Sequence, residues 1–256
     1  MQHLVRDGVR LAYVESRPSS TPAGPPILLV HGMMCNHTHM LGLFRHLAPR
    51  HRVVAVDLRG HGESDKPQAD YSDIVFNDDL EFLCRALELE RPIGIGHSFG
   101  GSTQLHLAAT RPHVLGGLVL LDSGVRSAAA KQAELGPVYD DQDLAGQRAF
   151  LGARLFGPSD DPAERERILD GMMAVPRHVQ TSMQKAVLAF DGTEAALRVR
   201  IPSAFLLAEK PFTEPATLAR LGPNWRVGQV LGSGHFIQLF AAAQVHAMVD
   251  RFLELV

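Results

Sequence analysis

The chain has 256 residues with 45% apolar content, and one domain of this size can bury roughly three quarters of its unfolded surface without disulfides or metals. Its formal net charge of −3 argues against a nucleic-acid or anionic-membrane surface. No apolar run approaches the roughly 18 residues of a membrane span, and two cysteines cannot form a disulfide framework. We therefore expect a cytoplasmic protein that binds neither nucleic acid nor a membrane. The composition leaves its oligomeric state open.

Predicted strands and helices alternate along most of the chain. Leu4-Val5 and residues 11–14 flank Asp7-Gly8, which is typical of an antiparallel hairpin. Apolar runs predict buried strands at 27–30, 53–56, 93–96, 118–121, 204–207 and 227–231. Helical patterns near 39–49, 72–89, 99–111 and 241–255 lie between or after them. This alternation predicts an α/β fold with a mostly parallel, twisted sheet flanked by helices.

Two polar loops follow the first two of these runs. The loop after residues 27–30 begins His31-Gly32-Met33, and its glycine lets the chain turn back and offer the Met33 N–H. We expect His31 to organise this loop rather than to carry a proton. In the second loop, Arg59 and Asp65 are expected to form a structural ion pair or to lock a turn.

A serine between glycines follows the run at 93–96. In Gly96-His97-Ser98-Phe99-Gly100, the serine has the spacing of a nucleophile elbow, whose flanking glycines let strand and helix approach closely. The turn directs the Phe99 N–H and the positive end of the next helix to one point beside the serine Oγ, so that the nucleophile and an oxyanion donor meet there. A chain with this glycine and serine content contains the motif by chance roughly one time in ten. The surrounding residues must therefore show whether it is a nucleophile elbow.

The alternation is interrupted between residues 121 and 201. Helical patterns there cover 128–135, 144–156, 162–173 and 177–190. Beyond this insertion, Gly234-His235-Phe236 follows the run at 227–231 and supplies a histidine near the end of the chain. A histidine that follows a strand in this way is the expected general base for Ser98.

Together these motifs resemble the α/β-hydrolase superfamily, over residues 8–256. The resemblance implies an enzyme without a cofactor, with Ser98 as nucleophile, His235 as base and the N–H groups of Met33 and Phe99 as oxyanion donors. It also implies a helical cap over residues 125–200, with the hydrolase core formed by residues 1–124 and 201–256.

The position of the acid departs from the pattern of many members of the superfamily. They have an aspartate after the strand that follows the cap, where this chain has Pro211. Some members take the acid after the preceding strand, and Asp122 stands there. We expect Asp122 to orient His235. Glu209 is the first alternative, and Asp191, Glu214 and a site without an acid are others.

The substrate wall is expected to be apolar and adaptable, because the insertion is rich in methionine and phenylalanine. His97 is expected to pack sideways beside the serine. The spacing of His37 and His39 is a poor metal pattern, so no metal site is expected. The expected substrate contacts are His37, His97, Phe150, Phe156, Met172 and Phe236.

These features predict hydrolysis of a small apolar carboxylic ester or lactone through an acyl-enzyme. A lactonase similar to the zearalenone hydrolases is one form of this prediction. The serine disfavours a haloalkane dehalogenase or an epoxide hydrolase, which need a carboxylate nucleophile. The alternatives are a cofactor-free dioxygenase that cleaves N-heteroaromatic rings, a C–C bond hydrolase, and a non-catalytic ligand receptor.

Overall fold

Eight strands form one sheet in a computed structural model that describes residues 1–19, 21–22, 24–140, 143–213 and 215–256. Their order across the sheet is β1-β2-β4-β3-β5-β6-β7-β8. β1 and β2 pair antiparallel with their neighbours, and all neighbours from β4 to β8 are parallel. The strands are β1 (Gln2–Arg6), β2 (Val9–Ser16), β3 (Ile27–Val30), β4 (Val53–Val56), β5 (Ile93–His97), β6 (Gly117–Leu121), β7 (Ser203–Leu207) and β8 (Trp225–Gln229).

Helices cover both faces of this sheet. Leu28 packs with α2 and α3 residues in one core, whereas Ile27 packs with α1 and α11 residues in the other, since neighbouring strand residues face opposite ways. The prediction of a mostly parallel sheet flanked by helices is confirmed. The helices are α1 (Leu41–Leu47), α2 (Asp73–Ala86), α3 (Phe99–Thr110), α4 (Ala128–Asp140), α5 (Leu144–Leu155), α6 (Pro162–Met173), α7 (Arg177–Ala189), α8 (Gly192–Arg198), α9 (Pro215–Leu218), α10 (Ile237–Phe240) and α11 (Ala242–Leu253).

The order of the central strands creates a crevice at their carboxyl ends. β3 and β5 are neighbours, with β4 on the far side of β3 and β6 on the far side of β5. The connections that leave β3 and β5 therefore run in opposite directions. In open α/β sheets, ligands bind at this switch point. The His31 and Ser98 loops both begin there.

Helices α4 to α8 form the insertion between β6 and β7. Its helices α5 and α6 contribute Leu151 and Ile168 to a small apolar cluster that also contains Cys35 and Phe236 from the loops at the strand ends. The insertion therefore packs over the carboxyl ends of the strands. Within the described ranges, no helix has the length and apolar content needed to cross a bilayer.

Several elements differ from the sequence predictions, among them β8 and α8, and the short helices α9 and α10 were not predicted. β8 is Trp225–Gln229 rather than a buried strand at 227–231, and Val227 and Leu231 are 52% and 75% exposed because β8 is the edge strand. Helix α8 was not predicted. The Asp191 carboxylate begins it by accepting hydrogen bonds from the N–H groups of Thr193 and Glu194.

Candidate active site

Ser98 lies at a strained turn between β5 and α3. Its φ of 51° and ψ of −118° fall in a region that L-residues rarely adopt. The turn is held because the Ser98 N–H donates to the Leu121 carbonyl at 3.0 Å. A Cβ on Gly96 would overlap the backbone of Gly101, and one on Gly100 would overlap the carbonyl of His31. Only glycines therefore fit on both sides of the serine.

The carboxylate of Asp122 lies against the imidazole of His235. Its Oδ2 is 2.7 Å from Nδ1 of His235, and its Oδ1 accepts the Ala208 N–H at 3.1 Å. Asp122 is fully buried and has a φ of 44°. Its own N–H donates to the Leu206 carbonyl at 2.7 Å. These bonds fix the carboxylate at the end of β6, one strand from Ser98.

The other residues considered as the acid lie elsewhere. The side chain of Glu209 is exposed, and Asp191 caps helix α8. Glu214 lies outside the described residues. The structure therefore brings Asp122 to His235, whereas Glu209 faces solvent.

Aromatic rings surround His235. The ring of Phe212 meets it edge-on at 4.5 Å between centroids, and the His97 ring is 4.6 Å away. His97 donates its Nε2–H to the carbonyl of His235 at 3.0 Å. Burial lowers the pKa of His97 well below 6.5, so its imidazole stays neutral. His97 thus holds the His235 backbone rather than carrying a proton.

One cavity brings the main candidate residues together. Its empty volume is about 910 Å³, including open solvent at its mouth. Ser98 and His235 line it beside the candidate oxyanion donors Met33 and Phe99. Four of the six expected substrate contacts also line it: His97, Phe150, Met172 and Phe236.

The loop after β3 forms a tight turn at this cavity. The Cys35 N–H donates to the Gly32 carbonyl at 3.2 Å, and Met34 has a φ of 58°. The strained conformation therefore falls on Met34, not on the glycine. The Met34 N–H donates to Nε2 of His61 at 3.2 Å. Within the described part of the chain, the N–H groups of Met33 and Phe99 donate to no protein acceptor.

Two neutral histidines hold this turn. Nδ1–H of His31 donates to the Gly32 carbonyl at 2.8 Å, while its Nε2 accepts the Leu58 N–H at 3.0 Å. His61 donates from Nδ1 to the Arg59 carbonyl at 2.9 Å. Burial lowers the pKa of His31 to about 3 and that of His61 to about 4. The sequence predicts this role for His31 alone.

Three sequence expectations are corrected by these contacts. His37 does not line the cavity, because its Nδ1 and backbone N–H bind the buried carboxylate of Asp57 at 2.9 and 2.6 Å. Phe156 does not line it either, and stacks on Phe236 at 5.5 Å between centroids.

The third correction concerns Arg59. Its Nη2 binds Asp79 Oδ1 at 2.6 Å, whereas Asp65 pairs with Arg10. Of the two expected roles, the ion pair between Arg59 and Asp65 is wrong, because α2 brings a buried carboxylate to the arginine. The Asp65 carbonyl does close the loop, by accepting the Gly60 N–H at 2.9 Å.

Asp160 is a supporting residue that the sequence analysis missed. Its buried carboxylate accepts the N–H of Gly157 at 2.8 Å and that of Gly234 at 3.2 Å. The His235 N–H donates to the Leu155 carbonyl at 2.7 Å. The insertion therefore holds the main chain of the histidine loop through one side chain and one carbonyl. Asp160 precedes the Asp161 cap of α6, and nothing local in the sequence separates their roles.

Charged side chains also reach the cavity. Arg126 and Arg154 line it, and both pair with Glu134. The guanidinium of Arg154 also lies 3.7 Å above the ring of Phe212. Asp73, Lys131 and Tyr139 line the cavity as well. The wall is therefore less uniformly apolar than the sequence predicts.

Comparisons with known proteins agree with this architecture. A family model described as the alpha/beta hydrolase fold matches residues 25–186. An uncharacterized protein of Mycobacterium tuberculosis is 41% identical over 102 residues, which are 40% of this chain and only 30% of that protein. A 2-(acetamidomethylene)succinate hydrolase of Mesorhizobium japonicum is 28% identical over 92% of this chain and 90% of its own. The enol-lactonase from Burkholderia xenovorans has the same fold, with a TM-score of 0.86, 20% identity and coverage of 99% of this chain and 100% of its own.

Proposed function

Because the chain belongs to the α/β-hydrolase family, we propose that it hydrolyses a carboxylic ester or lactone through an acyl-enzyme on Ser98. The observation that carries this proposal is the contact of 2.7 Å between Asp122 and His235 at the cavity that Ser98 lines. A serine hydroxyl is a weak nucleophile at neutral pH and needs a base whose tautomer is fixed. The contact supports that role for His235.

The steps follow from the chemistry of these groups. His235 takes the Ser98 proton as Oγ attacks the carbonyl carbon, and the Asp122 carboxylate stabilises the imidazolium that forms. The oxyanion accepts hydrogen bonds from the N–H groups of Met33 and Phe99. Each bond lowers the activation barrier by about 3 kcal/mol. His235 then protonates the departing alcohol. A water deprotonated by His235 hydrolyses the acyl-enzyme and restores Ser98.

The proposal extends to the substrate wall and to the cap. His97, Phe150, Met172 and Phe236 form the substrate wall, and residues 125–200 act as a cap over a core of residues 1–124 and 201–256. The packing of α5 and α6 against Cys35 and Phe236 supports the cap. The names of the succinate hydrolase and the enol-lactonase support hydrolysis of a small substrate. We propose a cytoplasmic site of action.

Active-site labelling together with a substrate screen tests the proposal. The protein is treated with a fluorophosphonate and digested, and mass spectrometry locates the adduct, which we expect on Ser98. Turnover is measured with 4-nitrophenyl esters of short and medium acyl chains and with aromatic lactones. We expect hydrolysis by the wild type and a loss of several orders of magnitude in Ser98→Ala. An adduct on another residue, or oxygen uptake with a hydroxyquinolone in place of ester turnover, would contradict it.

A further inference from the structure

Lys131 is a buried ammonium at the cavity without an ion pair. It lies on the face of α4 that also turns Leu135 and Tyr139 to the cavity, four and eight residues further on. The residue is 5% exposed, and its Nζ is 4.9 Å from the centroid of the Phe190 ring. Among the described residues, no carboxylate oxygen lies within 4.0 Å of it. An unpaired buried charge is costly, so a partner from outside the chain would stabilise it.

Nearby acids do not neutralise this ammonium by contact. Asp73 lines the same cavity but lies beyond ion-pair distance, and its buried Oδ1 has no hydrogen-bond partner among the described residues. The Asp191 carboxylate is engaged by the backbone of α8, and Glu134 is shared by the guanidinium groups of Arg126 and Arg154. Arg126 and Arg154 are therefore neutralised by contact with Glu134, whereas none of these acids neutralises Lys131 by contact.

Two residues near Lys131 also border a second surface groove. Asp73 and Phe190 line a neighbouring surface groove as well as the cavity, whereas Ser98 and His235 line the cavity alone. A ligand that contacts both Ser98 and Lys131 would have its reacting carbonyl at the serine and a second polar group at the ammonium.

We propose that Lys131 binds a free carboxylate carried by the substrate, so that the preferred substrate is an ester or lactone with an acidic group. The inference rests on the proposed function, because it names the substrate class of the same site. A desolvated ammonium attracts a carboxylate more strongly than an exposed one does. The pKa of Lys131, lowered to about 8 by burial, still leaves it mainly charged at pH 7.

Matched substrates test the proposal. One is the 4-nitrophenyl monoester of a dicarboxylic acid, and the other is the 4-nitrophenyl ester of the monocarboxylic acid of the same chain length. We expect kcat/KM to be higher for the acidic ester in the wild type. In Lys131→Met the ratio of acidic to neutral kcat/KM should fall about tenfold or more, mainly through KM, because the contact is made before and during reaction. Lys131→Arg should keep most of the preference.

Two controls separate recognition from folding. Lys185→Met removes an exposed lysine of α7 from the same insertion and should leave the ratio unchanged. If Lys131 and Asp73 instead form only a water-bridged structural pair, Lys131→Met should destabilise the fold without changing the ratio of acidic to neutral kcat/KM. The double variant Lys131→Met/Asp73→Asn removes both buried charges. We expect it to fold and to lack the preference, and an unchanged ratio in the folded double variant overturns the proposal.

Equilibrium binding keeps this test independent of catalysis. Calorimetry on Ser98→Ala compares hexanoate with hexanamide, which has a similar shape and no charge. Tighter binding of hexanoate that is lost with Lys131→Met supports the carboxylate subsite even if no ester is hydrolysed, in which case only the proposed function fails. Equal binding of the two ligands contradicts the subsite.

Discussion

Asp122 and His235 are 113 residues apart in the chain, yet the carboxylate Oδ2 of one lies 2.7 Å from Nδ1 of the other. The second oxygen of the carboxylate is held by the Ala208 N–H, so the group is fixed at both oxygens. This geometry requires the proton of the imidazole on Nδ1, which leaves Nε2 as an acceptor. The tautomer that a serine-activating base needs is therefore built into the fold.

The first prediction concerns this tautomer. In Asp122→Asn the amide can still accept the Ala208 N–H through its oxygen, but its NH2 group then faces Nδ1 and favours the wrong tautomer. We expect kcat for an activated ester to fall about ten-thousand-fold. Glu209→Gln, which changes an exposed side chain nearby, should cost less than about threefold, within the range of surface substitutions. A larger loss in Glu209→Gln than in Asp122→Asn would reverse the assignment.

The backbone strain at Ser98 gives a second prediction. Ser98→Gly removes the Cβ from a residue with a φ of 51°, whereas Ser98→Ala keeps it. Both variants should lose ester turnover. The glycine variant should have a free energy of unfolding about 1 kcal/mol higher than the alanine variant, despite the greater freedom of glycine in the unfolded chain. Urea unfolding measures the difference, and a less stable glycine variant would show that the strain is small.

The buried His31 predicts sensitivity to acid. Its pKa is about 3 in the folded protein against 6.5 for the ordinary group, so the unfolded chain binds a proton that the folded one excludes. The free energy of unfolding therefore decreases as pH falls from 6.5 towards 3. His31→Gln should reduce the slope of this decrease by about one proton. An identical slope in wild type and variant would indicate that His31 is protonated in the fold.

Asp160 should act through the position of His235. Asp160→Ala leaves the N–H groups of Gly157 and Gly234 without their acceptor, which should cost about 1–3 kcal/mol in the free energy of unfolding. We expect kcat to fall with little change in KM, because the histidine loop is loosened and the substrate wall is not. Oδ2 accepts both bonds, so the amide oxygen of Asp160→Asn can take its place without the charge, and this variant should be intermediate. Equal kcat in all three proteins would rule out the positioning role.

The preference for an acidic ester should depend on pH. Lys131 faces Asp73 and Asp191, which favour its charged form, and Arg126, which opposes it, and burial sets its pKa at about 8. The ratio of acidic to neutral kcat/KM should therefore decline as pH rises through about 8. Using the ratio cancels the titration of groups common to both substrates. A ratio that stays constant from pH 7 to 9.5 would exclude this group.

The sequence predicts those parts of the fold that short-range patterns encode. Buried strands and the elbow glycines have local signals, since a run such as 27–30 and the spacing of Gly96 and Gly100 depend only on nearby residues. Helix α8 has seven residues, too few for a clear periodicity, although the capping residues Asp191 and Glu194 could have indicated it. The strand at 227–231 was predicted to be buried because its composition does not reveal that β8 is an edge.

Side-chain partners were harder to predict because they depend on distant segments. Arg59 pairs with Asp79, which helix α2 brings to it, and not with its neighbour Asp65. His37 lies close to the cavity loop in sequence, but the buried carboxylate of Asp57 holds it elsewhere. Nothing in the sequence around Lys131 predicts that it reaches the cavity, apart from its position on the same face of α4 as Leu135.

The anchor of Asp122 also bears on how the enzyme can be engineered. Ala208 contributes only its backbone N–H, and the Glu209 N–H donates to the Ser233 carbonyl, so neither bond depends on a side chain. The exposed positions Glu209 and Lys210 can therefore be replaced or labelled while the carboxylate keeps its place. A fluorophore attached through a cysteine at position 210 would therefore label the protein at an exposed site outside the residues that line the cavity.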